Sequence, residues 1–226
     1  TVVVAGGMWT RQLALDAGVS VPLYPVEHHY LLSNTTGQDL DGAPVTRDLD
    51  GSIYFRGEKD TILIGAFQRE SKPWLVDRVP DDFAFALLDP DWEHFEAPLQ
   101  EGYARLPILR EIGFAKFVNG PESFTPDGNL IMGETPEIAG LHVVAGFNSS
   151  GLAFAGGAGE ALAEWIVGGE QPYDLWSVDV RRFGPWQNTR AFLRARTVET
   201  LGMHFRLAAP NLEYELGRDL RRSPLH

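Results

Sequence analysis

One stretch of the chain, Leu141-His-Val-Val-Ala-Gly-Phe-Asn-Ser-Ser-Gly-Leu-Ala-Phe-Ala-Gly-Gly-Ala-Gly159, predicts a strand that runs through a tight loop into a helix. The strand covers residues 141–146, and the helix continues to about Val167, where Gly168-Gly169 ends it. A helix that begins in small residues lets a ligand approach its backbone N–H groups, and the helix dipole favours an anion there. Close packing of the helix on a sheet requires the same small residues, so both interpretations stay open.

A second strand–glycine–helix junction lies at the start of the chain. Residues 2–5 are typical of a buried strand, Gly6-Gly7 follow, and a helix is predicted from Thr10 to Ala17. This junction also offers N–H groups to an anion, although any tight strand-to-helix turn uses glycine. A natural N-terminus rarely begins inside a buried strand, and residues 218–224 have the composition of a linker. We therefore expect a fragment of a longer protein.

The centre of the chain predicts β-structure interrupted by helices. The predicted strands are residues 23–33, 52–56, 61–67 and 114–119, with residues 57–60 as a hairpin connection. The predicted helices are residues 89–104, with Asp89 as N-cap and Pro90 in the first turn, and about 189–200. Strands and helices in this order indicate a mixed α/β chain of the α+β class.

Polar rings on two of these strands are candidates for chemistry. Successive side chains of a strand face opposite sides, so the adjacent His28 and His29 point in opposite directions and cannot form a paired metal site. His28 shares its face with Tyr30, and Tyr54 is the polar ring of the next strand. Histidine is the side chain most readily used for proton transfer near neutral pH. A single histidine on a half-apolar strand is also common in a core, and that interpretation stays open.

Composition excludes several classes of protein. Hydrophobic residues make up 44% and charged residues 22% of the 226 residues, which is typical of a folded globular chain. No run approaches the ~20 apolar residues of a membrane-spanning helix. The net charge of −12 argues against nucleic acid and anionic membranes as partners. The lack of Cys excludes disulfides and thiolate metal sites, and the scattered histidines give no metal-ligand spacing.

Seven segments of the chain, in order, carry a resemblance to a known family. They are residues 4–9, 25–30, 53–58, 119–128, 145–151, 162–166 and 217–225. The most specific are Asn-Gly-Pro-Glu-Ser-Phe-Thr-Pro-Asp-Gly at 119–128 and Gly-Arg-Asp-Leu-Arg-Arg-Ser-Pro-Leu at 217–225. The chain resembles the FAD-dependent dimethylglycine and sarcosine dehydrogenases, which are D-amino-acid-oxidase-like flavoproteins.

The resemblance implies a division of the chain and an FAD cofactor. Residues 1–20 and 141–173 would belong to the end of an FAD-binding domain, residues 21–140 to a substrate-binding domain with a mixed or antiparallel sheet, and residues 174–226 to a middle domain. In the family, a Rossmann-type segment precedes these parts and a folate-binding domain follows them. The fragment by itself is expected to be inactive.

The resemblance also assigns site residues. His28 and Tyr54 match the family's active-site histidine and tyrosine. Cofactor binding is assigned to the two strand–loop–helix junctions and to a turn between them: Gly6, Gly7, Trp9, Thr125, Pro126, Asp127, Gly146, Phe147, Asn148, Ser149, Ser150 and Gly151.

The implied reaction is hydride transfer from an N-methyl carbon of a small amine to the flavin, which leaves an iminium. Oxidases that resemble monomeric sarcosine oxidase carry a Lys where this chain has Ala153, so the resemblance favours a dehydrogenase that passes electrons to an acceptor protein. The implied location is the bacterial cytoplasm, which the preference for Arg over Lys favours, or the mitochondrial matrix. One alternative is a regulatory homologue like the regulatory subunit of pyruvate dehydrogenase phosphatase. The other is a solitary domain with neither role.

Overall fold

The computed structural model describes residues 1–74, 78–206, 214–217 and 220, and two β-sheets with helices packed on them organise this part of the chain. The strands are β1 (Val2–Val4), β2 (Tyr24–Ser33), β3 (Thr46–Asp48), β4 (Ile53–Glu58), β5 (Thr61–Ala66), β6 (Lys72–Pro73), β7 (Phe114–Phe124), β8 (Ile131–Glu134) and β9 (Leu141–Ala145). The helices are α1 (Thr10–Asp16), α2 (Trp92–Arg105), α3 (Ile108–Ile112), α4 (Gly151–Gly168) and α5 (Arg190–Met203), with 3-10 turns at Gly7–Trp9, Val180–Arg182 and Pro185–Asn188.

The larger sheet is antiparallel and is built around β2. β7 pairs with β2 along its whole length, from Tyr24 opposite Phe124 to Ser33 opposite Phe114. β5 and β6 pair with separate parts of β2, and β4 and then β3 continue the sheet beyond β5. Because β2, β4, β5 and β7 belong to this one sheet, four separate parts of the sequence contribute side chains to the same face of it.

The smaller sheet is mixed, because β9 pairs in parallel with β1 and antiparallel with β8. α4 packs on it through Trp165, whose ring lies against Gly133 of β8, where a Cβ would come within 2.5 Å of the ring. Gly133 also has a φ of +118°, a conformation that side-chain-bearing residues rarely adopt. The two sheets confirm the predicted α+β fold with mixed and antiparallel sheets.

The two faces of the larger sheet are covered by different helices. On one face an apolar cluster joins the strands to α2 and α3: Leu31, Ile53, Phe55, Ile64, Ala66, Phe95, Leu99 and Leu109. On the other face a smaller cluster includes the end of α5 and the residues after it: Val26, Phe67, Phe124, Leu201 and Phe205. The second face is the one that carries the candidate site.

α2 begins later than the sequence predicts. Its N-cap is Asp91, whose Oδ1 accepts the backbone N–H of His94 at 3.0 Å, and not Asp89. The Asp89 carbonyl instead accepts from the side chain of Asn119, and Leu88 forms a bridge to the same residue of β7. This contact holds the two residues against the sheet, so the helix starts after them. Trp92, in the first turn of α2, is half exposed.

Several strands differ from the predicted ones, because pairing with neighbouring strands decides where a strand forms and where it ends. β7 extends to Phe124, five residues beyond the predicted end, since it pairs with all of β2. The short strands β3, β6 and β8 were not predicted. β1 forms as expected but lies at a sheet edge, so Val2 and Val3 are largely exposed and not buried. The predicted linker at 218–224 lies outside the described residues, apart from residue 220.

None of the helices in the described ranges combines the length and apolar composition that crossing a membrane requires.

Candidate active site

β2 holds His28 in the middle of the site face. Its Nδ1 lies 2.8 Å from Oε2 of Glu122, and its Nε2 lies 3.1 Å from the carbonyl oxygen of Ala66. The ring of Phe67 packs against it with centroids 4.9 Å apart. The His28 side chain is only 10% exposed, so these neighbours fix its orientation.

His29 lies on the opposite face, as the alternation of the strand predicts. It is fully buried, its Nδ1 lies 3.3 Å from Oε1 of Gln68, and its ring packs beside His94 and Phe117. Burial lowers the pKa of His29 and favours the neutral ring. A cavity of about 460 Å³ opens on this side of the sheet, lined in part by Gln68 and His94, and none of the predicted site residues lines it.

β4 and β5 position Tyr54. Its ring lies over Gly65, the residue paired with it on β5, and a Cβ at that position would collide with the ring. Phe67 lies beside the Tyr54 ring, at a centroid distance of 5.9 Å. Burial, aided by the negative charge of Glu122, raises the pKa of Tyr54 to about 12, so the phenol stays protonated and can donate a hydrogen bond. Tyr30, the other predicted ring, also pairs with Gly65 and faces the same side.

The loop between β9 and α4 reaches the same face. Ser149 Oγ lies 3.4 Å from Nδ1 of His28. Asn148 and Ser149 both have positive φ values, +50° and +69°, which are unusual for residues other than glycine. The buried Asn148 side chain holds this turn, because it accepts the backbone N–H of Thr125 at 2.9 Å and donates to the carbonyl of Gly146. The loop therefore has a strained backbone, which the hydrogen bonds of the Asn148 side chain hold in place.

This loop leaves the N-terminus of α4 accessible. No side chain caps the helix there, and its first turn contains no acidic residue. Gly146 has a φ of +66°, and a Cβ on it would come within 2.5 Å of Cγ2 of Thr125. The remaining predicted loop residues, Phe147, Ser150 and Gly151, lead into the helix. The positive end of an 18-residue helix thus lies close to His28.

The turn at Thr125, Pro126 and Asp127 makes mainly internal contacts. Asp127 forms an ion pair with Arg182, with Oδ2 and Nε 2.7 Å apart. Thr125 Oγ1 donates to the carbonyl of Asn129 at 2.8 Å, and the Pro126 carbonyl accepts from a side chain of α5. These contacts fix the turn, and Thr125 of this turn contacts Asn148 of the loop at 146–151. Cofactor binding by the turn itself stays a prediction.

Gly6, Gly7 and Trp9 lie at the same sheet edge as the loop at 146–151. β1 and β9 are parallel neighbours, so the segments that follow them leave the sheet on the same side. Gly7 has a φ of +56°, and Trp9 donates its N–H to the Gly6 carbonyl at 3.0 Å. The structure therefore brings the two predicted junctions together.

Glu122 is the site residue that the sequence analysis missed. It lies inside the segment 119–128 that carried the resemblance, but its side chain was not singled out. The pairing of β7 with β2 sets Glu122 opposite Val26, which places it on the face of His28. Strand alternation could have revealed this only if the register of the pair had been known.

Two family models cover nearly the whole chain. The model described as FAD dependent oxidoreductase matches residues 1–165, and the FAD dependent oxidoreductase central domain matches residues 168–223. The chain therefore belongs to the FAD dependent oxidoreductase family, whose cofactor is FAD.

Three of its curated relatives are an oxidase, a regulatory subunit and a dehydrogenase. The chain is 47% identical to the 4-methylaminobutanoate oxidase (formaldehyde-forming) of Paenarthrobacter nicotinovorans, over 100% of this chain and 27% of that protein. It is 40% identical to the mitochondrial pyruvate dehydrogenase phosphatase regulatory subunit of Mus musculus, over 97% and 25%. It is 38% identical to the mitochondrial sarcosine dehydrogenase of Mus musculus, over 100% and 24%. The chain thus spans about a quarter of the length of these relatives.

Solved structures show the same fold. The glycine oxidase from Geobacillus kaustophilus aligns with a TM-score of 0.64 at 23% identity, over 81% of this chain and 46% of that one.

The residues of the site fit the redox end of FAD. The strained loop 146–151, the glycine required at 146 and the uncapped start of α4 form a backbone cradle with positive potential. The flavin ring of FAD becomes anionic on reduction, and this cradle would stabilise that charge.

Proposed function

We propose that the full-length protein containing this chain is an FAD-dependent oxidoreductase that demethylates a small N-methyl amine, of the dimethylglycine or sarcosine type. The observation that carries the proposal is the convergence of His28, Glu122 and Tyr54 on the start of α4. Two relatives with N-methyl amines in their names or reactions, the 4-methylaminobutanoate oxidase and sarcosine dehydrogenase, support the substrate class.

The chain's residues orient the reactants and control hydrogen bonding. FAD, held at the loop 146–151, would supply the hydride acceptor for oxidation of the N-methyl amine to an iminium. Tyr54 offers a protonated phenol, and the loop 146–151 offers backbone N–H groups to the negative charge that develops. Phe67 and Phe124 border His28 and keep water from that side of its ring.

The finer parts of this proposal follow from the resemblance of the sequence. An acceptor protein would take the electrons, since oxidases that resemble monomeric sarcosine oxidase carry a Lys where this chain has Ala153. Folate would serve the full-length protein as acceptor of the one-carbon unit. The protein would act in the bacterial cytoplasm or the mitochondrial matrix, the compartments implied by the relatives.

A regulatory role is the second candidate, because a pyruvate dehydrogenase phosphatase regulatory subunit is 40% identical over almost the whole chain. A regulatory protein needs no proton-sharing groups at the flavin. The close His28–Glu122 contact beside Tyr54 therefore favours the enzyme.

Anaerobic stopped-flow spectroscopy of the full-length protein tests the function. Sarcosine, dimethylglycine and 4-methylaminobutanoate are mixed separately with the protein, and loss of the visible flavin absorption is followed. We expect at least one of them to bleach the flavin. A folded protein without flavin bands, or with a flavin that none of them reduces, would favour the regulatory role.

The two adjacent histidines provide a matched pair of variants for the same experiment. We expect His28→Ala to slow flavin reduction on the order of 10²-fold, the loss typical of a removed hydrogen-bond or proton-transfer group. His29→Ala should instead lower the free energy of unfolding by about 1 kcal/mol or more, because it leaves a cavity in the packing on the opposite face of the sheet. A larger rate loss for His29→Ala would contradict the placement of the site.

A further inference from the structure

Glu122 stands beside His28 on the site face of the larger sheet. Because Glu122 pairs with Val26 and Gly120 pairs with His28, the Glu122 side chain lies diagonally across from the ring. Nδ1 of His28 and Oε2 of Glu122 are 2.8 Å apart. The Glu122 side chain is 36% exposed, so it faces the site, whereas the ring is nearly buried.

Both nitrogens of the His28 ring meet hydrogen-bond acceptors. Nε2 lies 3.1 Å from the carbonyl oxygen of Ala66, and a carbonyl only accepts, so Nε2 must carry a hydrogen. Nδ1 meets the carboxylate of Glu122, which also only accepts when it is ionised. With Glu122 ionised, this hydrogen-bond geometry requires a hydrogen on each ring nitrogen.

The surroundings of Glu122 favour its ionised form. Burial opposes the charge, but the hydrogen bond and charge of His28, together with hydrogen bonds from Ser149, lower the pKa of Glu122 below its ordinary value. Ser149 donates from both its side chain and its backbone. The backbone of Ser149 has a positive φ of +69°.

Glu122 therefore joins three elements at one point. It belongs to β7, it holds the ring that β2 carries, and it binds Ser149 in the loop before α4. Other titratable groups that interact with this pair are Tyr54 on β4, His29 on β2 and His204 after α5.

From this geometry we propose that Glu122 is a positioning residue for the reaction proposed above. It holds His28 with a hydrogen on each ring nitrogen, so that His28 has no bare ring nitrogen with which to act as the base that removes a proton from the substrate. The effect on rate rests on the proposed function. The protonation of His28 does not, because it can be observed without substrate.

Nitrogen NMR of the full-length, FAD-loaded protein measures that protonation directly. Histidine labelled with ¹⁵N in the ring is incorporated, and the His28 signals are assigned from their loss in His28→Gln. We expect both His28 nitrogens to show the shifts of hydrogen-bearing nitrogens. In Glu122→Gln, one of the two should show the shift of a bare nitrogen.

Stopped-flow flavin reduction measures the consequence for rate. At saturating substrate, Glu122→Gln should be slower on the order of 10²-fold, with little change in KM, because the ring loses its fixed orientation. Glu122→Asp keeps the charge and should recover part of this loss. Glu27→Gln is the control, since it removes a more buried carboxylate from the opposite face of β2.

The outcomes separate this proposal from the proposed function. A bare ring nitrogen on His28 in the unmodified protein overturns the positioning role, whether or not any amine reduces the flavin. A rate for Glu122→Gln within about twofold of the unmodified protein, or an equal loss in Glu27→Gln, also overturns it. If no amine reduces the flavin, the proposed function fails, and the NMR result still decides the state of His28.

Discussion

Tyr54 owes its position to the glycine opposite it. The ring occupies the space that any side chain at Gly65 would fill, and Phe67 borders it. This enclosure removes water from the phenol, which is why its pKa rises to about 12. A phenol in this state is a hydrogen-bond donor over the whole physiological pH range.

The first prediction concerns the alkaline stability of the protein. The folded pKa of Tyr54 lies above its unfolded value of about 10, so the unfolded state loses its proton first as pH rises. The stability contributed by the neutral phenol is present below about pH 10 and is lost between about 10 and 12. Urea unfolding across this range should show a smaller decline in Tyr54→Phe than in the unmodified protein. A tyrosinate absorption step near pH 10 that disappears in Tyr54→Phe would contradict the enclosure.

α5 approaches the larger sheet closely at its C-terminal end. Gly202 lies so near the backbone of Arg69 that a Cβ would be 2.9 Å from its Cα and carbonyl carbon and closer still to its carbonyl oxygen. Ser71 Oγ adds a hydrogen bond of 2.7 Å to the Val198 carbonyl. The helix α5 can therefore pack against residues 69–71 only if residue 202 has no side chain.

The second prediction follows from this contact. Gly202→Ala should lower the free energy of unfolding by about 1–3 kcal/mol, because backbone atoms cannot move aside as a flexible side chain would. Gly156→Ala is the matched control, since that helical glycine has open space around it. It should raise stability by about 0.5–1 kcal/mol through the loss of glycine's backbone freedom. Chemical denaturation measures both, and a neutral Gly202→Ala would show that α5 can shift away from the segment.

Much of the surface of α4 is exposed to solvent in the described part of the chain. Leu152, Phe154 and Val167 are all exposed, although the helix is apolar and its other side packs on the smaller sheet. Exposed apolar surface of this kind favours association. The curated relatives are about four times as long as this chain, so other parts of the full-length protein can cover the helix.

The third prediction therefore applies to residues 1–226 expressed alone. We expect a concentration-dependent mass above 25.0 kDa in light scattering coupled to gel filtration. The double variant Leu152→Glu and Phe154→Glu should shift the mass towards the monomer. Trp176→Glu, at an exposed position on another segment, is the control and should leave association unchanged. If the double variant and Trp176→Glu had equal masses, the surface that associates would not be the exposed side of α4.

Local sequence determined most of the elements and the opposition of the two histidines. Strand alternation alone placed His28 and His29 on opposite faces, because the period of two holds in any strand. Glycine at 169 ended α4 in a left-handed conformation, as Gly168-Gly169 predicted. The resemblance in the segment 119–128 pointed to the family, which the family models confirm.

Only the tertiary structure decided which side chains meet across the sheet. The register of β7 against β2 brings Glu122 to His28 from 94 residues away, and no local pattern encodes that pairing. The start of α2 at Asp91 likewise follows from the contact of the preceding residues with Asn119 of β7. The alternation of side chains along a strand follows from short-range sterics, whereas the ends of the strands and the site depend on long-range pairing, which only the folded chain selects.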